Sequence, residues 1–196
     1  VNKTNTVYVC DSITLCQITL ADAYDIFSTI NSQREFLGKW LPFVAATKTV
    51  SDSIAFVQSV LNAPPEQTEL VYTIQYNKAF AGIIGFKDTD RLNGKTEIGY
   101  WLSEPLQGKG IVTKSTKKLI EIAFEKEQMN RIQIKCAVDN LPSKRIPQRL
   151  SFTLEGIERE GELLANKEYT DLEVYSLLRS DYERNKHIYI NNIYER

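Results

Sequence analysis

The stretch Gln107-Gly108-Lys109-Gly110 places two glycines directly ahead of an amphipathic segment. Val112, Leu119, Ile120, Ala123 and Phe124 mark one face of that segment, and Lys114, Lys117, Lys118, Glu121 and Glu125 the other. Free N–H groups at a helix start, without side-chain bulk beside them, form an anion site that the helix dipole favours. A tight turn accounts for glycine equally well, and on these residues alone both readings stand. The spacing does not fit a P-loop, because no Gly-Lys-Ser/Thr follows at the required distance. Nor does it fit a dinucleotide fingerprint, since Thr113 stands where the third glycine would fall.

Other polar residues have weaker local signals. Asn140, ahead of Leu141-Pro142-Ser143, is a good helix N-cap. Ser143, three residues on, falls on the same helical face. Pro147 removes the amide that would have bonded the Ser143 carbonyl, which predicts an irregular helix. Glu162 sits near Glu158 and Glu160 and reads, on charge pattern alone, as a solvated turn carboxylate. Glu97 shares a strand face with Gly99 and Trp101. His187, the single histidine, lies in a polar tail and reads as a surface residue. The three cysteines, Cys10, Cys16 and Cys136, show neither CxxC nor Cys/His spacing, which argues against a zinc site or disulfide framework and for a reducing compartment. Cys136 falls on the apolar face of an alternating strand and reads as a packed, inert thiol.

The elements that must position these residues alternate irregularly along the chain. Val7 to Leu20 suggests one strand or a pair, a helix starts at Ala21, and 34–43 reads as an aromatic-rich loop. Ser51 to Leu61 is helical with Ser51 as N-cap. Strands follow over 70–76, 80–86 and 97–102, with Asn93-Gly94 turning a hairpin between the last two. A helix over 112–126, a strand over 132–138, a short helix over 140–150 and closing strands over 152–164 and 169–178 complete the pattern. This is an α+β order with a mostly antiparallel sheet, expected as one domain over residues 7–180 and a polar, uncommitted tail over 181–196.

At 196 residues the chain can bury a sizeable core. A net charge of −1, with 25% charged residues of mixed sign, gives no footprint for nucleic acid. Apolar runs of about 4 to 6 residues fall far short of a membrane helix, and no secretory signal is visible, so a cytoplasmic protein is expected. Exposed strand edges leave a homodimer open.

Taken together, "REFLGKWLPF", "GYWLSEPLQGKGIVTK", "RIQIKCAVDNLPSKRIPQRLSFTLEG" and "EGELLANKEYTDLEVYSLL" resemble the Gcn5-related N-acetyltransferase (GNAT) superfamily, and within it the RimJ/RimL branch that acetylates ribosomal-protein N-termini. Gln107 and Gly110 match the family's Arg/Gln-x-x-Gly-x-Gly/Ala pattern, while Val112 departs from its small last residue. Ser151 stands where a glycine is usual. The resemblance implies a mixed sheet splayed at an acyl-CoA cleft, with acetyl-CoA as co-substrate and no metal. Backbone from Gln107 through Gly108, Lys109, Gly110, Ile111 and Val112 to Thr113 would hold the pyrophosphate. Tyr100, Trp101 and Leu102 would offer backbone to the pantetheine and the thioester carbonyl. Asn140 would bond the pantetheine arm, and Ser143 would protonate the departing thiolate. Glu162 falls at the family's general-base position, with Glu97 as its rival. Arg34, Trp40 and Phe43 would border the acceptor channel, although Trp40 and Phe43 read equally as loop anchors. The acceptor could be a protein N-terminus, a polyamine, an aminoglycoside or another small amine. A non-catalytic acyl-CoA-binding module on the same fold is the alternative.

Overall fold

A computed structural model describes residues 6–64 and 69–190. Eight strands form one sheet in the order β1-β2-β3-β4-β5-β6-β8-β7. They are β1 (Thr6–Cys10), β2 (Ile13–Gln17), β3 (Val71–Tyr76), β4 (Ala79–Asp90), β5 (Lys95–Leu102), β6 (Arg131–Ala137), β7 (Thr153–Leu163) and β8 (Tyr169–Leu178). All neighbours run antiparallel except β5 and β6, which are parallel. That one parallel pair holds for only three residues, Lys95, Thr96 and Glu97 against Arg131, Ile132 and Gln133. Beyond Glu97 the two strands part. Their facing backbone edges, from Ile98 on β5 and Ile134 on β6, make no bond to each other.

Helices cover both faces. On one side lie α1 (Ala23–Ser32), α2 (Arg34–Gly38), α3 (Phe43–Ala46) and α4 (Val50–Leu61), which pack Ile26, Ile30, Leu37, Val44 and Val57 onto Val71, Ile83 and Trp101. On the other, α5 (Ile111–Glu121) buries Val112, Leu119 and Ile120 against Leu15, Ile74, Ile98 and Ile132. Alternation along β5 therefore sends Trp101 to the first layer and Ile98 and Leu102 to the second, with Tyr100 packed against the second. Then α6 (Leu141–Arg149) follows β6 directly.

Three local readings change. Residues 34–43 are not a plain loop: α2 and α3 are short helices that Arg34 ties together. Its guanidinium donates to the carbonyls of Val44 and Thr47 at 2.9 and 2.5 Å. The cap of α4 is Thr49 rather than Ser51. The Asp52 carboxylate reaches back to accept from the Thr49 and Lys48 amides at 2.7 and 2.9 Å, and these bonds hold its pKa below the usual value. The tail is folded as far as the described chain extends: α8 (Lys186–Ile190) packs on α5, and α7 (Arg179–Arg184) lies against β8 and α8 and brings Tyr182 onto Phe124, just past the end of α5. Tyr182 and Tyr189 are the reason. Tyr182 is fully buried, its ring 4.8 Å from Phe124 and 5.3 Å from Tyr189.

Desolvated tyrosines give the fold a pH signature. Burial raises the phenol pKa of Tyr175 and of Tyr189 to about 12, and burial also raises those of Tyr100 and Tyr182. The folded state thus holds these protons more tightly than the unfolded chain. The stability they contribute is complete below the ordinary tyrosine value of 10.0 and is lost as pH climbs through the folded values. Thermal melts should show a Tm insensitive to tyrosine titration up to about pH 9.5 and a steep decline from about pH 10 to 12.

Candidate active site

The parting of β5 from β6 opens a cleft with two connected chambers. The smaller, about 440 Å³, lies between the glycine turn and α6. The larger, about 780 Å³, lies between the first helical layer and the far ends of β7 and β8. Trp40, Leu41, Tyr100, Trp101, Asn140 and Ser143 line both and mark where they meet.

The glycine turn is built by backbone conformation. Gly108 and Gly110 have φ of +76° and +72°, and a Cβ at either would meet no atom within 4 Å. Left-handed geometry, rather than crowding, selects glycine there, and it leaves open space in front of the backbone. Gly110 is the N-cap of α5 and no side chain caps that end, so its first-turn N–H groups remain for a ligand. The Gln107 amide donates to the Leu102 carbonyl at 3.1 Å, tying the turn to the end of β5. Gln107, Gly108, Gly110, Ile111, Val112 and Thr113 all line the smaller chamber, with Leu102. Lys109 does not; its ammonium sits over the Tyr76 ring at 5.6 Å.

Asn140 and Ser143 meet at the junction. The Asn140 Oδ1 accepts from the Ser143 amide at 3.3 Å, a helix cap that leaves the residue half-buried in the cleft wall. The Ser143 hydroxyl lies 3.1 Å from the Tyr100 hydroxyl, which also donates to the Ser143 carbonyl at 3.4 Å. Tyr100 thereby occupies the carbonyl that Pro147 leaves without an amide. Burial holds the Tyr100 phenol well above the ordinary tyrosine range, so it stays a neutral hydroxyl. Cys136 also borders the larger chamber, and burial raises its thiol to about 11. It is protonated at neutral pH and a poor nucleophile.

The larger chamber holds both candidate bases. Glu97 is 5% exposed at the last residue of β5 that pairs with β6, with Lys87 at 2.8 Å and the Gln133 amide at 3.2 Å. Glu162 is half-buried on β7 opposite Thr170, and its carboxylate has no partner among the described residues. Trp40 is half-buried and Phe43 is 42% exposed; both line the chamber and neither enters the buried core. Arg34 lies outside both chambers, its guanidinium committed to the α2–α3 backbone. Two residues that sequence reasoning missed, Arg145 and Arg149, line the smaller chamber. Their signal was present: 142, 145, 146 and 149 share one helical face.

A sheet split beside a glycine turn and an uncapped helix start defines a scaffold for a thioester carrying phosphates. The chain belongs to the acetyltransferase (GNAT) domain family, whose sequence profile matches residues 12–153. It is 33% identical over 183 residues to YdaF of Bacillus subtilis (strain 168), whose name marks it provisionally as a ribosomal N-acetyltransferase. That match spans 92% of this chain and 99% of YdaF. It is 28% identical over 173 residues to the ribosomal-protein-serine acetyltransferase of Escherichia coli (strain K12), spanning 88% and 96% of the two chains. Among solved structures it is similar to the microcin C7 self-immunity acetyltransferase MccE bound to acetyl-CoA and AMP, at a TM-score of 0.82 and 34% identity over 87% of this chain and 94% of that one. It is also similar to RimL, the ribosomal L7/L12 alpha-N-protein acetyltransferase, bound to coenzyme A, at a TM-score of 0.85 and 25% identity over 90% and 99% of the chains. The protein is thus an N-acetyltransferase of the RimL-like group that uses acetyl-CoA, and the non-catalytic alternative falls away. No group of side chains suited to a metal occurs among the described residues, and no described helix is long and apolar enough to cross a membrane.

Proposed function

We propose that this enzyme acetylates the α-amine at the N-terminus of a protein, of the ribosomal-protein kind, by direct attack of that amine on the thioester. Glu162 would serve as base and Ser143 as proton donor to the departing sulfur. The observation that carries the reading is the contrast between the two carboxylates. Glu97 is spent on Lys87 and Gln133, whereas Glu162 faces the larger chamber with its lone pairs free. A base must have a lone pair to accept the ammonium proton, directly or through one water.

Acetyl-CoA supplies the activated acyl group; the chain supplies position and charge. The α5 start and glycine turn would hold the pyrophosphate, and the open edge of β5 beyond Glu97 would present N–H groups to the thioester oxygen. Ser143, held by the Asn140 cap and Tyr100, would deliver its proton to sulfur. Trp40 and Phe43 would flank the incoming peptide.

Charge in the larger chamber supports a peptide amine over a nucleotide-linked one. Its two lysines, Lys87 and Lys135, are each paired, with Glu97 and Glu158 at 2.8 Å. That leaves no free cation among its described lining residues for a phosphate, while Asp88 and Glu162 favour an ammonium group. Steady-state assays with serine-initiated peptides, their N-blocked forms, spermidine, an aminoglycoside and an aminoacyl nucleotide test the reading. Turnover confined to free peptide N-termini is expected; turnover on the nucleotide or polyamine alone would overturn it. Tyr100→Phe, which removes one hydrogen bond from Ser143, should lower kcat by up to about tenfold with little change in the KM for acetyl-CoA.

A further inference from the structure

The smaller chamber carries more positive charge than one pyrophosphate at a helix start requires. Arg145 and Arg149 stand one turn apart on α6 and line this chamber opposite the glycine turn. They are the only charged side chains among its described lining residues; no aspartate or glutamate contributes to the wall. Neither guanidinium has a hydrogen bond or ion pair with any described residue. Four arginines elsewhere are engaged: Arg34 with backbone carbonyls, Arg131 with Glu155, Arg179 with the Phe124 carbonyl and Arg184 with Asp181; Arg159, exposed on β7, is not.

Like charges four residues apart on a helix repel and weaken it. Arg149, in the last turn, complements the helix dipole, but Arg145 sits too early to gain as much. Two unpaired forks on one face, about 6 Å apart at their Cβ atoms, match a phosphate group that accepts from both. Coenzyme A carries such a second group, the 3′-phosphate on its ribose, separate from the pyrophosphate. We propose that Arg145 and Arg149 form a clamp for the 3′-phosphate of coenzyme A, so that the enzyme selects the 3′-phosphorylated cofactor over its dephospho form.

This inference rests on the acetyl-CoA reading of the cleft but not on the identity of the base or the acceptor. Calorimetric titration with coenzyme A and with 3′-dephospho-coenzyme A tests it without turnover. Wild type should prefer coenzyme A by about tenfold or more, the scale of charge-assisted hydrogen bonds at an exposed site. Arg145→Ala/Arg149→Ala should bind the two ligands equally, with the wild-type affinity for the dephospho form retained. Arg145→Lys/Arg149→Lys should keep part of the preference, because charge remains while the fork is lost. An undiminished preference in the double alanine variant, or equal binding of both ligands by wild type, would overturn the clamp. A double variant that loses affinity for both ligands in proportion would place the arginines on the pyrophosphate and overturn it as well. Failure of wild type to bind either ligand would instead bring down the acetyl-CoA reading.

Discussion

Glu162→Gln should lower kcat by about 10²- to 10³-fold while leaving coenzyme A affinity unchanged, the scale expected when a general base is removed. The amide keeps the size and polarity of the side chain but has no lone pair basic enough to take an ammonium proton. Glu162 has no partner among the described residues to lose, so the variant should melt within about 0.5 kcal/mol of wild type, as for an ordinary surface change. Glu97→Gln should show the opposite pattern. Its carboxylate holds Lys87 at 2.8 Å in a site 5% exposed, so removing the charge should reduce stability more than turnover per folded molecule. Stopped assays beside denaturant titrations of the two variants separate these outcomes. A Glu162→Gln enzyme with wild-type kcat would remove the base from the proposal.

Tyr182→Ala should cost about 3 to 5 kcal/mol, the range for truncating a fully buried aromatic. The ring lies 4.8 Å from Phe124, and its hydroxyl donates to Glu125 at 3.0 Å, so the change opens a cavity and leaves Glu125 with only its Lys186 ion pair at 2.6 Å. Against a typical total of about 5 to 15 kcal/mol, that loss would leave the domain marginal. Urea unfolding would read it directly. A change below about 1 kcal/mol would mean that α7 and α8 pack too loosely to support the core. Tyr189→Phe removes only the hydroxyl that donates to the Leu150 carbonyl at 2.7 Å, and should cost about 1 kcal/mol.

The tail also marks a boundary of what the sequence discloses. Two tyrosines seven residues apart, in a stretch otherwise rich in charge, give too thin an apolar stripe to outweigh the polar composition. Their partners, the Phe124 ring and the Leu150 carbonyl, come together only once the sheet has assembled. Arg34 is a second case. The family resemblance implies that it borders the acceptor channel, but here it satisfies the carbonyls of Val44 and Thr47, which a sequence does not show to be waiting. The local features were more legible. Gly108 and Gly110 sit in the left-handed region their context required, and Asn140 caps α6 as its type suggested. Ser151, where the family resemblance implies a glycine, adopts a left-handed φ of +57°. What pairs Ser143 with Tyr100, 43 residues earlier, is tertiary: β5 must splay from β6 before α6 can drop its first turn onto the strand.

The most direct test of the account is intact-mass measurement of the enzyme mixed with acetyl-CoA, with and without a serine-initiated peptide. Direct attack predicts one acetyl group on the peptide α-amine, none on a peptide whose N-terminus is blocked, and unmodified enzyme throughout. A stable acetyl group on the enzyme that then passes to the peptide, Cys136 being the thiol nearest the junction, would contradict direct transfer through the cleft between β5 and β6.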